Sequence, residues 1–375
     1  LELTNGGIPL SEEKYWDAIV IGGGPAGSTV ARYAAEGGLS VLVVDGRDPI
    51  GTPLQCGELV PTNEEMKRLC PDVPEVDDLF RTPDEAISST SGKMRIVKPN
   101  GKGMDFKFGG MVLDRVAHDE ALVNLAASSG AEFLLGSRVK RVDDESVHLS
   151  DGTVLKGKII VGAGGYNDPI RKEYWNEKSL NIPVKFVLKE GQHSDALELH
   201  FGSVAPGGYA WVFPKESVAN IGLGVQRKMS RGRSLESYAN EFIERYEGEE
   251  SFRGAGYLPM SGTIGQFVKG NYVLVGDSAG MVLPSNGAGI TIAMIGGRIA
   301  GQVISEHIND GLELEEYQRR WEAQMGKVMR NSKRSFKIGS LLFRFPDWFL
   351  NMAFNPLTRG FIWRAVTCRK MFWVF

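Results

Sequence analysis

The sequence predicts an α/β (α+β) chain: a Rossmann-type nucleotide layer built from distant segments, an antiparallel sheet, and a helical C-terminal region. Three observations predict it. The strand-like Asp17-Ala-Ile-Val-Ile21 runs straight into Gly22-x-Gly24-x-x-Gly27 and a helix-forming run. The same style returns about 250 residues later in Asn271-Tyr-Val-Leu-Val-Gly-Asp277. Between them, residues 184–225 hold several short β-rich runs, which suits an antiparallel sheet better than more nucleotide fold.

The opening element is βαβ over residues 16–45. Gly22 allows the tight strand-to-helix turn. Gly24 lets backbone N–H groups approach a pyrophosphate. Gly27 lets the helix pack close to the strand, so its positive end faces the phosphates. The next strand, Val41–Asp45, ends in an acid suited to ribose hydroxyls. A helical pattern follows Asp114-Arg115, with Ala117, Ala121, Leu122, Leu125 and Ala126 on one face. Residues 92–110 read as a hairpin around Asn100-Gly101. Short strands follow at Arg138–Val142, Val147–Leu149 and Lys158–Val161, the last ending at Gly162-Ala-Gly-Gly165. The β-rich runs are Val184–Leu188, Ala196–Phe201, Tyr209–Phe213 and Val218–Val225. After Asp277, Ser278–Asn286 reads as a loop, and Gly287-Ala-Gly289 opens a helix through about Ile308. A charged helix, about Glu313–Arg334, and an aromatic tail complete the chain. These elements predict a discontinuous nucleotide domain over 14–90, 111–180 and 270–310. They put a substrate sheet at 91–110 with 181–269, and a helical basic and aromatic region at 311–375.

At 375 residues, with 42% hydrophobic and 24% charged residues, the composition excludes broad disorder. No run of 18 apolar residues predicts a spanning helix. No secretory signal is visible, so a cytoplasmic location is expected. Cys56, Cys70 and Cys368 form no metal-ligand spacing, so no metal or iron–sulfur cluster is expected. The net charge of −3 hides a basic C-terminus. Residues 318–375 carry twelve Lys/Arg against Glu322 and Asp347, or +10. That balance predicts an anionic partner surface.

Two nucleotide-facing segments so far apart suit FAD better than NAD. The early loop would hold the pyrophosphate, Asp277 the ribityl hydroxyls, and the N–H groups near Gly289 and Ile290 the pyrimidine end of the flavin. The motifs Gly22–Gly27, Asp45-x-Arg47, Gly51-x-Pro53-x-x-Cys56-Gly57-Glu58, Asp114-Arg115, Gly276-Asp277-Ser-Ala-Gly280 and Gly287-Ala-Gly289-Ile290 resemble the geranylgeranyl reductase family of flavoproteins. Tyr209-Ala-Trp211-Val-Phe213-Pro214 followed by Gly222-Leu-Gly224 resembles that family's substrate-sheet signature. The likeness spans about residues 15–330 and looks most similar to its archaeal ether-phospholipid branch, the digeranylgeranylglycerophospholipid reductases. It implies a fold like that of p-hydroxybenzoate hydroxylase, bound FAD and alkene reduction. It also implies an external electron donor, ferredoxin or NAD(P)H. By matching motif, Ala26, Asp45, Arg47, Cys56, Gly57, Arg115, Val139, Asp277, Gly287, Gly289 and Ile290 touch FAD. Two departures stand out. Gly164 replaces an Asp common in related flavoproteins, which argues against NADPH docking at that turn. Leu59-Val60 replaces a glycine-containing segment after Glu58.

Tyr209, Trp211 and Phe213 alternate along one strand and so share a face. An aromatic face suits an isoprenoid chain that offers no hydrogen bonds. Gly222 and Gly224 are expected to leave room for that chain. Cys56 is the residue expected beside the flavin, as proton relay, polarity tuner or packing residue. Glu58 and Tyr209 are further proton-source candidates, and His118, His193 and His200 read as structural. The tail, 340–375, holds ten of the chain's 35 aromatics among Arg344, Arg359, Arg364, Arg369 and Lys370. That composition predicts either an interfacial segment on the inner face of the cell membrane or packing on the protein's own surface. No fold supports nucleic-acid binding. The competing functions are an FAD monooxygenase or dehydrogenase on a quinone or polyprenyl compound, and a non-catalytic isoprenoid-binding flavoprotein.

Overall fold

The structure, a computed structural model, describes residues 14–370. A parallel sheet forms the nucleotide layer, in the order Tyr272–Leu274, Val154–Gly162, Tyr15–Ile21, Val41–Val44 and Glu132–Leu134. Strand Val268–Lys269 pairs antiparallel at one edge, and the hairpin Val139–Asp143 with Ser146–Leu149 extends Val154–Gly162. The central strands carry near-continuous apolar runs because helices cover both faces.

Helices from opposite ends of the chain close this layer. Pro25–Glu36 packs along Ile290–Asp310, and the spacing is set by glycine. A Cβ at Gly297 would lie 2.6 Å from the Ala26 carbonyl, and one at Gly301 would lie 2.6 Å from the Val30 carbonyl. The backbones touch where any side chain would separate them. A Cβ at Gly276 would likewise sit 2.7 Å from Ala26 Cβ, so strand Tyr272–Leu274 delivers Asp277 beside the first helix.

The second sheet runs in the order Glu250–Pro259, Asn181–Glu190, Val218–Gly224, Tyr209–Pro214, Leu197–His200, Ile87–Val97, Gly103–Leu113 and Leu59–Pro61. It is mixed rather than purely antiparallel, because Leu197–His200 runs parallel to Ile87–Val97. Leu59–Pro61 and the start of Ile87–Val97 were expected in the nucleotide unit and pair here instead. Leu59-Val60, with Val60 buried, supplies the apolar edge that makes this pairing possible.

The two faces of this sheet have different covers. Ala210, Val212, Ile221 and Leu223 pack on Tyr238 and Phe242 of helix Leu235–Ile243. Tyr209, Trp211 and Phe213 point the other way, with ring centroids 6.2 Å apart at each step. Their face meets the C-terminal helices. The charged helix is longer than its sequence pattern suggests, Glu316–Leu342, because its last turns pack on the sheet.

Helices Asp347–Ala353 and Arg359–Val366 follow. Phe343 stacks on Phe201, with centroids 5.7 Å apart, and Trp363 on Phe106 at 4.6 Å. Asp347 accepts from the Ser203 N–H and hydroxyl at 2.9 and 2.6 Å, pinning its helix to the sheet. The tail is therefore not wholly interfacial. Phe354, Phe361 and Ile362 face inward beside Phe343, while Leu341, Phe345, Trp348, Met352 and Leu357 face solvent. Phe372, Trp373 and Phe375 lie outside the described residues.

Gly297→Val forces a side chain into the contact between the two helices. It should destabilise the fold by about 1–3 kcal/mol, as overpacking does, and lower flavin loading in parallel. Thermal melting and absorbance at saturating flavin measure both, and an unchanged melting point contradicts the packing account.

Candidate active site

The cofactor cleft begins at the glycine loop. Gly22 adopts φ +104°, and a Cβ there would clash with the Ala163 carbonyl at 2.4 Å. The helix Pro25–Glu36 starts at Gly24 with no side-chain cap, and Ile290–Asp310 starts the same way at Gly289. Both N-termini therefore offer backbone N–H groups to an anion. Beside Gly24, Arg47 Nη2 stands 3.7 Å from where a Cβ would be, in ordinary van der Waals contact.

Asp45 ends its strand buried. Its carboxylate accepts from Gly23 N at 2.7 Å and from Arg47 Nη2 at 2.7 Å. Burial alone would raise this carboxyl, but the Arg47 guanidinium and backbone N–H groups outweigh it and hold it below the usual range. Val139 begins the neighbouring hairpin, whose preceding Arg138 packs beside Gly46. Across the cleft, burial pushes the Asp277 carboxyl up to about 6, against the opposing pull of Arg115 and Arg171. Asp277 Oδ1 is 3.6 Å from where a Gly289 Cβ would stand, so this acid and the late helix start face one spot.

Arg115 does not reach into the cleft alone. Asp119 holds it at two points, Nε to Oδ1 at 3.1 Å and Nη2 to Oδ2 at 2.8 Å, and it also interacts with the Cys56 thiol. Burial pushes that thiol up, with Arg115 opposing. Cys56 at rest is thus a neutral thiol.

Beside Cys56, Gly57 lies against the aromatic strand. A side chain there would meet the Trp211 indole and the Phe213 ring at 3.3 Å. Phe213 fills this junction and does not line the apolar chamber. The chamber runs from Tyr209 and Trp211, past Pro284 and Ser285 of the loop between Asp277 and Gly289, to Phe336, Leu342, Phe354 and Ile362 of the C-terminal helices. Tyr209 Oη donates to the Asn286 carbonyl at 2.5 Å, next to Gly287, and so joins the sheet to this loop. Burial pushes its hydroxyl well up, which makes it a poor acid.

Gly222 departs from the expectation of free space. A Cβ there would stand 2.5 Å from both Phe186 Cβ and Trp211 Cζ2, so the glycine makes room for the protein's own rings. Gly224, one alternation on, does line the chamber.

Sequence reasoning missed several residues. Lys215 and Asn220 bind the Glu58 carboxylate at 2.8 and 2.9 Å, so Glu58 is held in an ion pair. Asn220 shares the face of Gly222 and Gly224 by period two, a signal visible in the strand pattern. The turn at Gly164 recovers its carboxylate from elsewhere. Asp168 accepts the Gly164 N–H at 2.7 Å and caps the next helix. Arg171 of that helix donates to the Ser278 carbonyl at 2.8 Å and steadies the Asp277 turn. His118, His193 and His200 bond to Asp119, the Glu190 carbonyl and Glu198, away from the chamber. Among the described residues, no cluster of His, Cys, Asp or Glu is suited to a metal.

Comparison with known proteins bears on this arrangement. Residues 180–255, which span the aromatic strand, match the model of the geranylgeranyl reductase catalytic domain. Residues 20–64 match the NAD(P)-binding Rossmann-like domain. The chain is 32% identical to a digeranylgeranylglycerophospholipid reductase of Methanocaldococcus jannaschii, covering 86% of each chain. It is 33% identical to a second such reductase, of Methanothermobacter thermautotrophicus, covering 87% of this chain and 88% of the relative. A crystal structure of a geranylgeranyl bacteriochlorophyll reductase-like protein from Thermoplasma acidophilum superposes with a TM-score of 0.80 at 25% identity, covering 96% and 94% of the two chains. A flavin-dependent brominase, at 16% identity and TM-score 0.68, shares the fold alone and covers 95% and 94%. With cleft, chamber and these likenesses together, the chain belongs to the geranylgeranyl reductase family of flavin-dependent oxidoreductases.

Proposed function

We propose that this protein is an FAD-dependent reductase that saturates C=C bonds in the geranylgeranyl chains of archaeal-type ether phospholipids. The observation that carries the reading is one continuous chamber. Its walls are apolar, and it ends against the loop that joins Asp277 to Gly289. Long hydrocarbon gains about 25 cal/mol per Å² on entering such a space, and the unpartnered buried side-chain atom among the described residues, Arg298 Nε, lies outside its lining.

The residues fit FAD. Two uncapped helix starts suit a pyrophosphate and a flavin pyrimidine edge, Asp45 a ribose, and Asp277 a ribityl chain. When bound and reduced by an external donor, of the ferredoxin or NAD(P)H class, it would supply the hydride that one alkene carbon accepts. The chain's own part is to exclude water, hold the alkene against Tyr209 and Trp211, and control where the matching proton comes from. Glu58 is held by Lys215, and the Tyr209 hydroxyl is committed to the Asn286 carbonyl, so Cys56 is the side chain left to relay that proton. Anaerobic incubation of reduced holoprotein with a geranylgeranyl ether lipid tests the reading by mass. A gain of two hydrogens per bond supports it. A gain of oxygen favours the monooxygenase alternative, and no change favours a binding protein.

Substrate in a bilayer must reach the chamber. Trp348 is 67% exposed and Leu357 97% exposed, with Leu341, Phe345 and Met352 beside them in the same tail region. Arg344 lies in the same segment, and the charge excess of residues 318–375 supplies attraction to anionic lipid. We therefore place the outward side of these helices on the membrane surface. Among the described residues no helix is long and apolar enough to cross a membrane. Deleting the tail would strip the chamber wall, so point changes are the proper test. Leu341→Asp with Trp348→Asp should cut pelleting with anionic vesicles severalfold while leaving flavin content and melting temperature near wild type. Full retention on vesicles contradicts the surface.

Trp211→Ala should lower lipid turnover about tenfold or more with little loss of flavin, measured by steady-state kinetics and absorbance. Flavin lost in step with activity would assign Trp211 to the cofactor core.

Asp277 sets a pH dependence. Its carboxyl is raised to about 6, so ionising it costs the ligand-free fold stability as pH rises from the ordinary aspartate range through about 6. A ribityl hydroxyl donates best to the ionised form. FAD affinity should therefore rise with pH through about 6 and then level, while Asp277→Asn should bind more weakly without that rise. Flavin fluorescence titrations across this range measure it, and a flat wild-type profile contradicts the assignment.

A further inference from the structure

Glu58 is an outlier in three ways. It takes φ +66°, in the left-handed region that favours glycine. Its side chain is buried, only 1% exposed. It also closes a polar network in an otherwise aromatic neighbourhood. Lys215 Nζ donates to Glu58 Oε1 at 2.8 Å and to the Leu113 carbonyl at 3.0 Å. Asn220 Nδ2 donates to Glu58 Oε2 at 2.9 Å and to the Cys56 carbonyl at 3.0 Å. Asn220 Oδ1 accepts the Trp211 indole N–H at 2.8 Å. The Glu58 N–H in turn points at Cys56 Sγ, 3.2 Å away.

The amide of Asn220 has one possible orientation. An indole N–H only donates, so Oδ1 must face Trp211, and both N–H bonds then go to oxygens. Every polar atom of that amide is thereby committed to the chamber wall. A buried ion pair is poor evidence of added stability, since desolvation offsets its attraction. What the arrangement does provide is a rigid link of fixed length between two walls.

We propose that Glu58, Lys215 and Asn220 are positioning residues that clamp the Cys56 loop to Trp211, holding the thiol at a set distance and angle from the aromatic wall. Lys215 extends the clamp to Leu113, two residues before Arg115, which itself interacts with the thiol. Glu58 supplies the anion that both donors need, and its left-handed backbone turns the loop so that its own N–H meets the Cys56 thiol. The proposal rests on the reading of Cys56 and Trp211 as walls of the reaction chamber.

Two variants of the FAD-loaded protein test it. Asn220→Leu is close in size and loses both donated bonds. Glu58→Gly with Lys215→Met removes both charges and relieves the left-handed residue. The first readout is alkylation of Cys56 by iodoacetamide, located by mass spectrometry, which needs no substrate. The second is kcat against KM on a geranylgeranyl lipid. Each variant should keep its flavin and melt within a few degrees of wild type. Each should alkylate Cys56 severalfold faster and lose about tenfold in kcat with a smaller change in KM, as misplacement within a site does. Wild-type alkylation and kcat in either folded variant overturn the clamp. Flavin lost in step with activity, or failure of both variants to fold, overturns it too, because the residues then serve the core. If wild-type protein shows no lipid turnover, the functional reading fails, and the alkylation arm still decides the clamp.

Discussion

The contact between helices Pro25–Glu36 and Ile290–Asp310 is the constraint on which the rest depends. Gly297 and Gly301 remove side chains where the two backbones meet, and Gly276 does the same beside Ala26. Only at that spacing do the early glycine loop and the late acid face one cleft. The helix starts at Gly24 and Gly289 then open onto that one cleft. The FAD proposed there would bridge the early and late segments, and its binding would tie them together.

The second sheet decides what faces that cleft. Its two faces have different covers. One face is closed by helix Leu235–Ile243, with Tyr238 and Phe242 packed on the aliphatic side chains of the strands. The other carries the Tyr209–Trp211–Phe213 ladder and is covered less tightly by helices that arrive last in the chain. The space left between is the apolar chamber proposed to take the isoprenoid chain. Its one concentrated polar feature near the cysteine loop is the Glu58–Lys215–Asn220 network, which is internally satisfied. A substrate without hydrogen-bonding groups gains from such a wall, and a polar one would have to compete with bonds already made.

How much of this was legible in the sequence follows from the range of each interaction. The glycine loop, the strand ending at Asp45 and the Gly276-Asp277 turn are local patterns, and the structure brings them together. The alternation of Tyr209, Trp211 and Phe213 correctly gave a shared face, because period two is a backbone property. It did not show that Phe213 would pack on Gly57, or that the space at Gly222 would be taken by Trp211 and Phe186. The Glu58–Lys215 pair joins residues 157 positions apart, and no local pattern encodes it. The loss of Asp at position 164 looked like a missing group, yet Asp168 supplies a carboxylate to the same turn from the next helix. The tail was read from composition, which counts aromatics without giving their direction. Helix packing turns Phe343, Phe354 and Phe361 inward and leaves Leu341, Phe345 and Trp348 outside.

The most direct measurement of the central claim is where an isoprenoid sits. A geranylgeranyl lipid carrying a diazirine on its chain, photolysed in the FAD-loaded protein, would mark the residues around it. The account predicts labelled peptides from the strands at Tyr209–Pro214 and Val218–Gly224 and from residues 335–366, with competition by unlabelled lipid. Labelling confined to helix Leu235–Ile243 and the opposite face of the sheet would contradict it.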